Sequence, residues 1–308
     1  MSIEVLPPPS NETLKQIWSY FNLNEQSVKE AVDSLKKWLE MQPHLPNTCE
    51  DDALAMWLIR CKNSVERTKE SIDMYYTMRT LAPEYLTDRD TRSEWFQKIT
   101  SLVYCIPMPE LTENLDRVIP VGLLDPDATF FNLDLALKAL IMHLDVRLHE
   151  DYHLSNIGII DMKNYTLSHV TKITVSQLKK CFVVLFNTYK IRVRAIHFIN
   201  TPPYAEYVLG LVRSVIGSKL AARIQIHGSD LCSLHKHIPK RLLPTEYGGD
   251  AGPIARYHEA WIKKMATYND WYKEQENVKS DESKRQGRSI TSGDLFGIEG
   301  SFRKLNVD

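Results

Sequence analysis

The sequence is short of the features that announce a chemistry. Its five cysteines, Cys49, Cys61, Cys105, Cys181 and Cys232, are odd in number, widely spaced and without a CxxC pair. That pattern argues against a disulfide frame and a structural zinc site, and it fits free thiols in a reducing compartment. No apolar run approaches the roughly 18 residues needed to cross a bilayer. The opening residues, with Glu4 and the prolines Pro7 to Pro9, lack the basic start and unbroken apolar stretch of a secretory signal. Neither charge is in surplus: 38 Lys and Arg against 39 Asp and Glu leave a formal net charge of −1, unlike a general nucleic-acid binder. There is no GxSxG, GxxxxGKS/T or GxGxxG, and no internal repeat. A soluble, cytoplasmic chain is expected, with no nucleic-acid partner, no cofactor and no metal.

What is present is a change of pattern along the chain. From residue 24 to 41, Val28, Val32, Leu35 and Leu39 recur at helical steps, and Pro43 and Pro46 end the run. Thr48 with Asp51 resembles a capping box ahead of Leu54, Trp57 and Leu58. Ser64 opens a further helix with Val65, Ile72, Tyr75 and Tyr76 on its buried side. After about Ser93, short β-branched runs alternate with helices. Strands are predicted at 117–124, 157–162, 194–200 and 223–228, and helices at 133–148, 175–189 and 204–216. Strands separated by helices of this length imply βαβ crossovers and a mainly parallel sheet. Residues 253–276 read as one last helix, 278–293 as a polar flexible linker, and Leu295, Phe296, Ile298 and Phe302 as an apolar tail that docks. The division is 1–93 for a helical lobe, 94–255 for an α/β lobe, 256–277 for the C-terminal helix and 278–308 for linker and tail.

Two constellations stand out. Between Pro203, suited to a first helical turn, and Gly217, suited to end it, lie Tyr204, Val208, Leu211, Val212 and Val215 in one stripe, with Leu209 and Ile216 beyond it. Periodicity alone describes a buried core helix; the functional reading is a lid over an apolar cavity. The second constellation is basic. Arg192 and Arg194 share a side of an extended segment, and Lys219 and Arg223 share a helical face. Solvated pairs are the plain reading, while paired guanidinium groups suit a phosphate. His235 and His237 near His227 read as surface or capping histidines, and Asp161 as a turn former. No residue is placed as catalytic, because no nucleophile meets a base.

These segments resemble the CRAL-TRIO lipid-transfer family over about residues 45–255. Three blocks carry the likeness: Trp57-Leu-Ile-Arg-Cys-Lys-Asn-Ser-Val-Glu-Arg-Thr-Lys69, Arg194-Ala-Ile-His-Phe-Ile-Asn-Thr-Pro-Pro-Tyr204, and the stretch from Lys219 through Arg223-Ile-Gln-Ile-His-Gly228 to Leu243-Pro-Thr-Glu-Tyr-Gly-Gly249. The closing GSFRKL and the 66–77 segment look most like the insect branch related to α-tocopherol transfer protein. The resemblance implies a helical N-terminal lobe, then an α/β lobe whose sheet floors an apolar pocket under a mobile gate helix at 203–216. It also implies a phosphoinositide-binding basic cleft at Arg192, Arg194, Lys219 and Arg223. Ile59 stands where the first motif carries an arginine, and Arg60 would point about 100° away on a helix, so an incomplete cleft is expected.

The reading is a non-enzymatic carrier of a small hydrophobic lipid, tocopherol-, retinoid-, carotenoid- or other terpenoid-like, with transient contact to phosphoinositide-containing membranes. The expected pocket has Ile157, Ile159, Ile196 and Phe198 as floor, Phe182, Val183 and Phe186 as wall, and Tyr204, Val208, Leu211, Val212 and Val215 as roof. Two alternatives stand beside it: a phosphatidylinositol-type exchange protein, and a lipid-sensing interaction module that docks a partner through its tail.

Overall fold

The computed structural model describes residues 4–296. Helix α1 (Asn11–Tyr20) starts at Ser10, whose hydroxyl accepts the Thr13 amide. Helix α2 (Glu25–Glu40) opens on a reciprocal Asn24–Ser27 cap and buries the expected Val28, Val32, Leu35 and Leu39. Helix α3 (Asp51–Arg60) departs from expectation, because Glu50 is its N-cap and makes no side-chain bond. The carboxylates of Asp51 and Asp52 in its first turn favour the helix start through the dipole instead. Helix α4 (Val65–Leu81) is capped by Ser64 and buries Ile72, Tyr75 and Tyr76.

After α5 (Glu94–Leu102) comes a five-stranded sheet in chain order, β1 (Val103–Cys105), β2 (Asp116–Leu123), β3 (Ser155–Asp161), β4 (Val193–Ile199) and β5 (Ile224–Gly228). Only β1 is antiparallel to its neighbour. The crossovers are α6 (Leu133–Glu150), then α7 (Leu167–Thr171) with α8 (Val175–Phe182), then α9 (Ala205–Val215) with α10 (Ser218–Ala221). The expected mixed α/β class with a mainly parallel sheet is what forms. The helix expected at 175–189 is not uniform, since after Phe182 it widens into a π-helix, Val183–Thr188. Short α11 (Leu231–His235) follows β5.

The two lobes share one core. The largest apolar cluster runs from Ile17, Leu35, Leu54 and Trp57 through Leu137, Ile141, Leu144 and Leu148 of α6 to Val183, Phe186 and Val215. Asp145 of α6 fastens the lobes further: it pairs with Arg89 at 2.6 Å and Arg79 at 3.5 Å, and accepts the Tyr75 and Tyr189 hydroxyls at 2.9 and 2.6 Å. Every polar atom removed from water here needs such a partner. A second cluster joins Ile157 and Ile159 of β3 to Met142 and Val146 of α6 and to Trp261 and Tyr272.

Two expectations fail near the C-terminus. The single helix expected at 253–276 is α12 (Ile254–Ala266) and α13 (Asn269–Glu274). At the break the Thr267 hydroxyl bonds back to the Lys264 carbonyl, and the Tyr272 hydroxyl beyond it reaches the Met142 carbonyl at 2.9 Å. Residues 278–293 are not a flexible linker. The Ser280 amide donates to the Tyr76 carbonyl, the Asp281 amide to the His44 carbonyl, and Arg285 to both carboxylate oxygens of Asp73 at 2.7 and 2.6 Å. The polar residues that suggested solvation are there to pair. Helix α14 (Ser292–Phe296) then buries Leu295 and Phe296; Ile298 and Phe302 lie outside the described residues.

Candidate functional site

Strand register decides which side chains can face α9. Ile157 pairs with Ala195, Gly158 with Ile196, Ile159 with His197 and Ile160 with Phe198. Alternation therefore puts Gly158, Ile160, Ile196 and Phe198 on one face and Ile157, Ile159 and Ala195 on the other. Phe198 meets Met162, Ala205 and Leu209, with Ile160, Ile196, Val208 and Ile224 packed around them. Ile157 and Ile159 back onto α6 and the C-terminal helices instead. The expected floor drew its residues from both faces; Ile196 and Phe198 belong under α9, whereas Ile157 and Ile159 do not. Gly158 and Ile160 take their place.

Packing beneath α9 is incomplete over Gly158. Central strands of a sheet covered on both faces normally pack with few voids. Here Gly158, Ile160, Ile196 and Ile224 keep accessible surface, as do Val208 and Val212 above them. A methyl group added at Gly158 would meet only Ile196 Cγ2, 4.0 Å away. Helix α8 has an apolar side in Leu178, Cys181 and Phe182, yet none of its residues is fully buried. Val183 and Phe186 are buried, with Phe182 stacked on Phe186 at 5.8 Å. On α9 Leu209 is wholly buried, with Val215 and Ala205 also buried; the stripe expected from spacing held Val215 but left out Ala205 and Leu209. Val208 packs toward Phe198, Val212 and Val215 join the main core, Leu211 is half-buried, and Tyr204 donates its hydroxyl to the Tyr165 carbonyl. Tyr207, outside the expected stripe, is exposed, 64% accessible.

Beside this space, at the start of β4, opens a cavity of about 700 Å³. The sheet lobe lines it with Lys190, Arg192, Arg194 and Arg223, and the helical lobe with Arg60, Lys62 and Arg67. Three of the four expected basic residues therefore converge. Lys219 is not among the lining residues; it sits on α10. The position of Ile59 adds nothing to the cleft, but its neighbour does. Ile59 is buried in the core, and its neighbour Arg60 reaches the cavity from the end of α3, where Nη1 and Nη2 donate to the carbonyls of Tyr189 (3.2 Å) and Arg147 (3.3 Å). Burial holds the Arg60 pKa down to about 10, and its Nε has no protein partner. Arg60 does point away from Ile59, and it is Arg60 that lines the cavity.

The individual cations differ. The Arg192 guanidinium lies 4.8 Å over the Phe21 ring with Nη1 buried and unpartnered, and burial is the main influence lowering its pKa. Arg194 is half-exposed but bound through Nε to Asp116 at 2.5 Å, a carboxylate with almost no exposure that also accepts the Ser155 hydroxyl. Arg223 donates to the Val193 carbonyl. A phosphate would meet guanidinium groups already oriented by the protein.

Among the described residues no group of His, Cys, Asp or Glu is arranged to hold a metal ion. His227 and His237 cluster with His197, a partner the sequence hid because it sits on β4, and His197 Nδ1 lies 2.8 Å from His227 Nε2. His235 instead bonds the Tyr247 carbonyl. Asp161 accepts the Lys163 amide and the Asn200 side chain, as a turn former does. No helix among these residues is long and apolar enough to cross a membrane.

The family model described as CRAL/TRIO domain matches residues 116–249, and that described as Pinta-like, UBA domain matches residues 24–96. Clavesin-1 of Pongo abelii is 35% identical over 257 residues, 79% of this chain and 70% of its own length. Clavesin-2 of Homo sapiens is 25% identical over 305 residues, covering 91% and 90%. Alpha-tocopherol transfer protein-like of Mus musculus is 27% identical, covering 69% and 62%. Among solved structures, the crystal structure of Sfh5 aligns with a TM-score of 0.48 at 13% identity, over 81% of this chain and 92% of that one. This chain belongs to the CRAL-TRIO family, whose members bind and transfer lipophilic ligands.

Proposed function

We propose that this chain is an intracellular, non-enzymatic carrier of a tocopherol-, retinoid-, carotenoid- or other terpenoid-like lipid, held between α8, α9 and the sheet and released at phosphoinositide-bearing membranes. The observation that carries the reading is the unfilled apolar space over Gly158. Burying about ten methylenes there would supply roughly 8 kcal/mol before the cost of ordering ligand and helix. No catalytic group is required for carriage. The basic cavity supports the membrane half of the proposal. Arg192 and Arg194 lead into the strand beneath α9, and Arg223 stands where the chain leaves α10 for β5. An anionic headgroup bound there would contact the start of the strand beneath α9 and, through Arg223, the C-terminal end of the lid segment, and release would follow from tighter headgroup binding to an open state.

Native mass spectrometry and organic extraction of the purified protein test the cargo: a single apolar lipid is expected, and a phosphatidylinositol would favour the exchange-protein alternative. Transfer of a loaded retinoid to vesicles tests release. Phosphoinositide should accelerate it, raised salt should blunt the effect, and Arg192→Glu should remove it while solution affinity stays near wild type. Equal transfer with and without phosphoinositide would reduce the cavity to a solvated surface.

A further inference from the structure

The C-terminal strap runs from the helical lobe to the back of the cavity wall. Its first half is fixed to α4: the Thr80 hydroxyl donates to the Ser280 carbonyl at 2.6 Å, and Arg285 bridges Asp73 and Glu282. Glu282 also accepts the Ser280 hydroxyl and the Ile290 amide, and its pKa falls to about 2, burial being outweighed by these donors and the arginine. Thr291 and Asp294 then bond reciprocally to start α14, which presses Leu295 and Phe296 into the main core beside α8. On α8, Lys180 is gripped from three directions. Its ammonium lies 5.7 Å from the Phe296 ring centroid, 5.3 Å from that of Tyr85 and 3.4 Å from Glu84.

The helix receiving this clamp is held elsewhere by packing on α9 and α6 and by the Gln177 side chain, which donates to Asp134 at 2.7 Å. None of its own residues is fully buried, and it passes directly into the π-helix, where regular hydrogen bonding changes register. We propose that the strap is a clamp on the cavity wall: Phe296 and Leu295 fix α8 against the helical lobe and thereby set how readily the space under α9 opens. Rigid α4 is the anvil, α8 the movable part, and cargo retention the consequence. The last step rests on the lipid reading above; the mechanical step does not.

Phe296→Ala tests the clamp, with Phe296→Leu as the conservative control, both in the full chain. Hydrogen exchange should rise across residues 175–188 in the alanine variant and remain near wild type in α6, with leucine restoring most protection. Release of all-trans-retinol, followed by its fluorescence, should accelerate about tenfold. Wild-type exchange at 175–188 in the alanine variant would overturn the proposal. A rise spread evenly over α6 and the sheet would also overturn it, because the strap would then be a general support. If exchange rises at α8 while wild type fails to bind retinol or any extracted lipid, the clamp stands and the lipid reading falls.

Discussion

Gly158 is the residue on which the cavity can be tested most sharply. Its backbone is ordinary strand, so a side chain there costs no left-handed strain, and an added Cβ would come within 4.0 Å of Ile196 Cγ2 alone outside its own chain neighbours. Gly158→Phe should fill the space, keep or raise the urea midpoint, and lower affinity for retinoid- or tocopherol-like ligands at least about tenfold. A destabilised protein with unchanged affinity would mean the space is closed in solution. Arg194 makes the opposite point. Because it neutralises buried Asp116, Arg194→Glu should cost about 3–5 kcal/mol of folding stability by urea denaturation, so cleft function is better tested at Arg192. The histidine cluster gives a pH dependence. Burial first, then His227 and His237, push the His197 pKa down to about 4, while Asp230 acts on His227 in the opposite sense. The unfolded chain takes up a proton near pH 6.5 that the folded state refuses, so stability is whole above that pH and is lost as pH falls toward 4. His197→Asn should flatten the fall in urea midpoint between pH 7 and 5; an unchanged slope would assign it to other histidines that burial lowers, His143, His153 and His258 among them.

At the scale of elements, α9 separates into positions that hold the fold and positions that face the space. Leu209→Ala should cost about 2–5 kcal/mol, as for a fully buried leucine, whereas Val208→Asp should leave the circular dichroism intact and weaken lipid binding. Unfolding by Val208→Asp would make α9 a plain core helix. The sequence made this helix legible through Pro203 and Gly217 but gave only part of its inner face. The stripe of Tyr204, Val208, Leu211, Val212 and Val215 passed over Ala205 and Leu209, because a helix apolar on most sides has no unique face in its spacing. The strands posed a similar problem: two-residue alternation says that neighbours diverge, not which set faces which helix. Register between β3 and β4 is a tertiary fact, and it alone removes Ile157 and Ile159 from the floor.

Over the whole molecule, class and sheet order were legible because strands, helices and breakers alternate plainly, and the family motifs lie on the parts that match. The strap was not, since a run of Ser, Lys, Glu and Arg looks the same in sequence whether it faces water or a row of complementary partners. Nor was Arg60, whose approach to the cavity depends on where α3 stops. The thiols carry a global check. Burial pushes Cys49, Cys105 and Cys181 up to about 12 and raises Cys61, leaving exposed Cys232 as the one open to reagent. One fast thiol in the native protein and five after denaturation without reductant are expected; a denatured count of one would reveal two disulfides.

The order of synthesis gives the strap another meaning. The floor, the wall and the lid all leave the ribosome before Leu295 and Phe296 do. On the carrier reading proposed above, a nascent chain in that interval would have a lipid site with nothing behind its wall, and cargo taken up then would be enclosed when α14 docks. Loading during translation and exchange at maturity would thus run at different rates through the same opening.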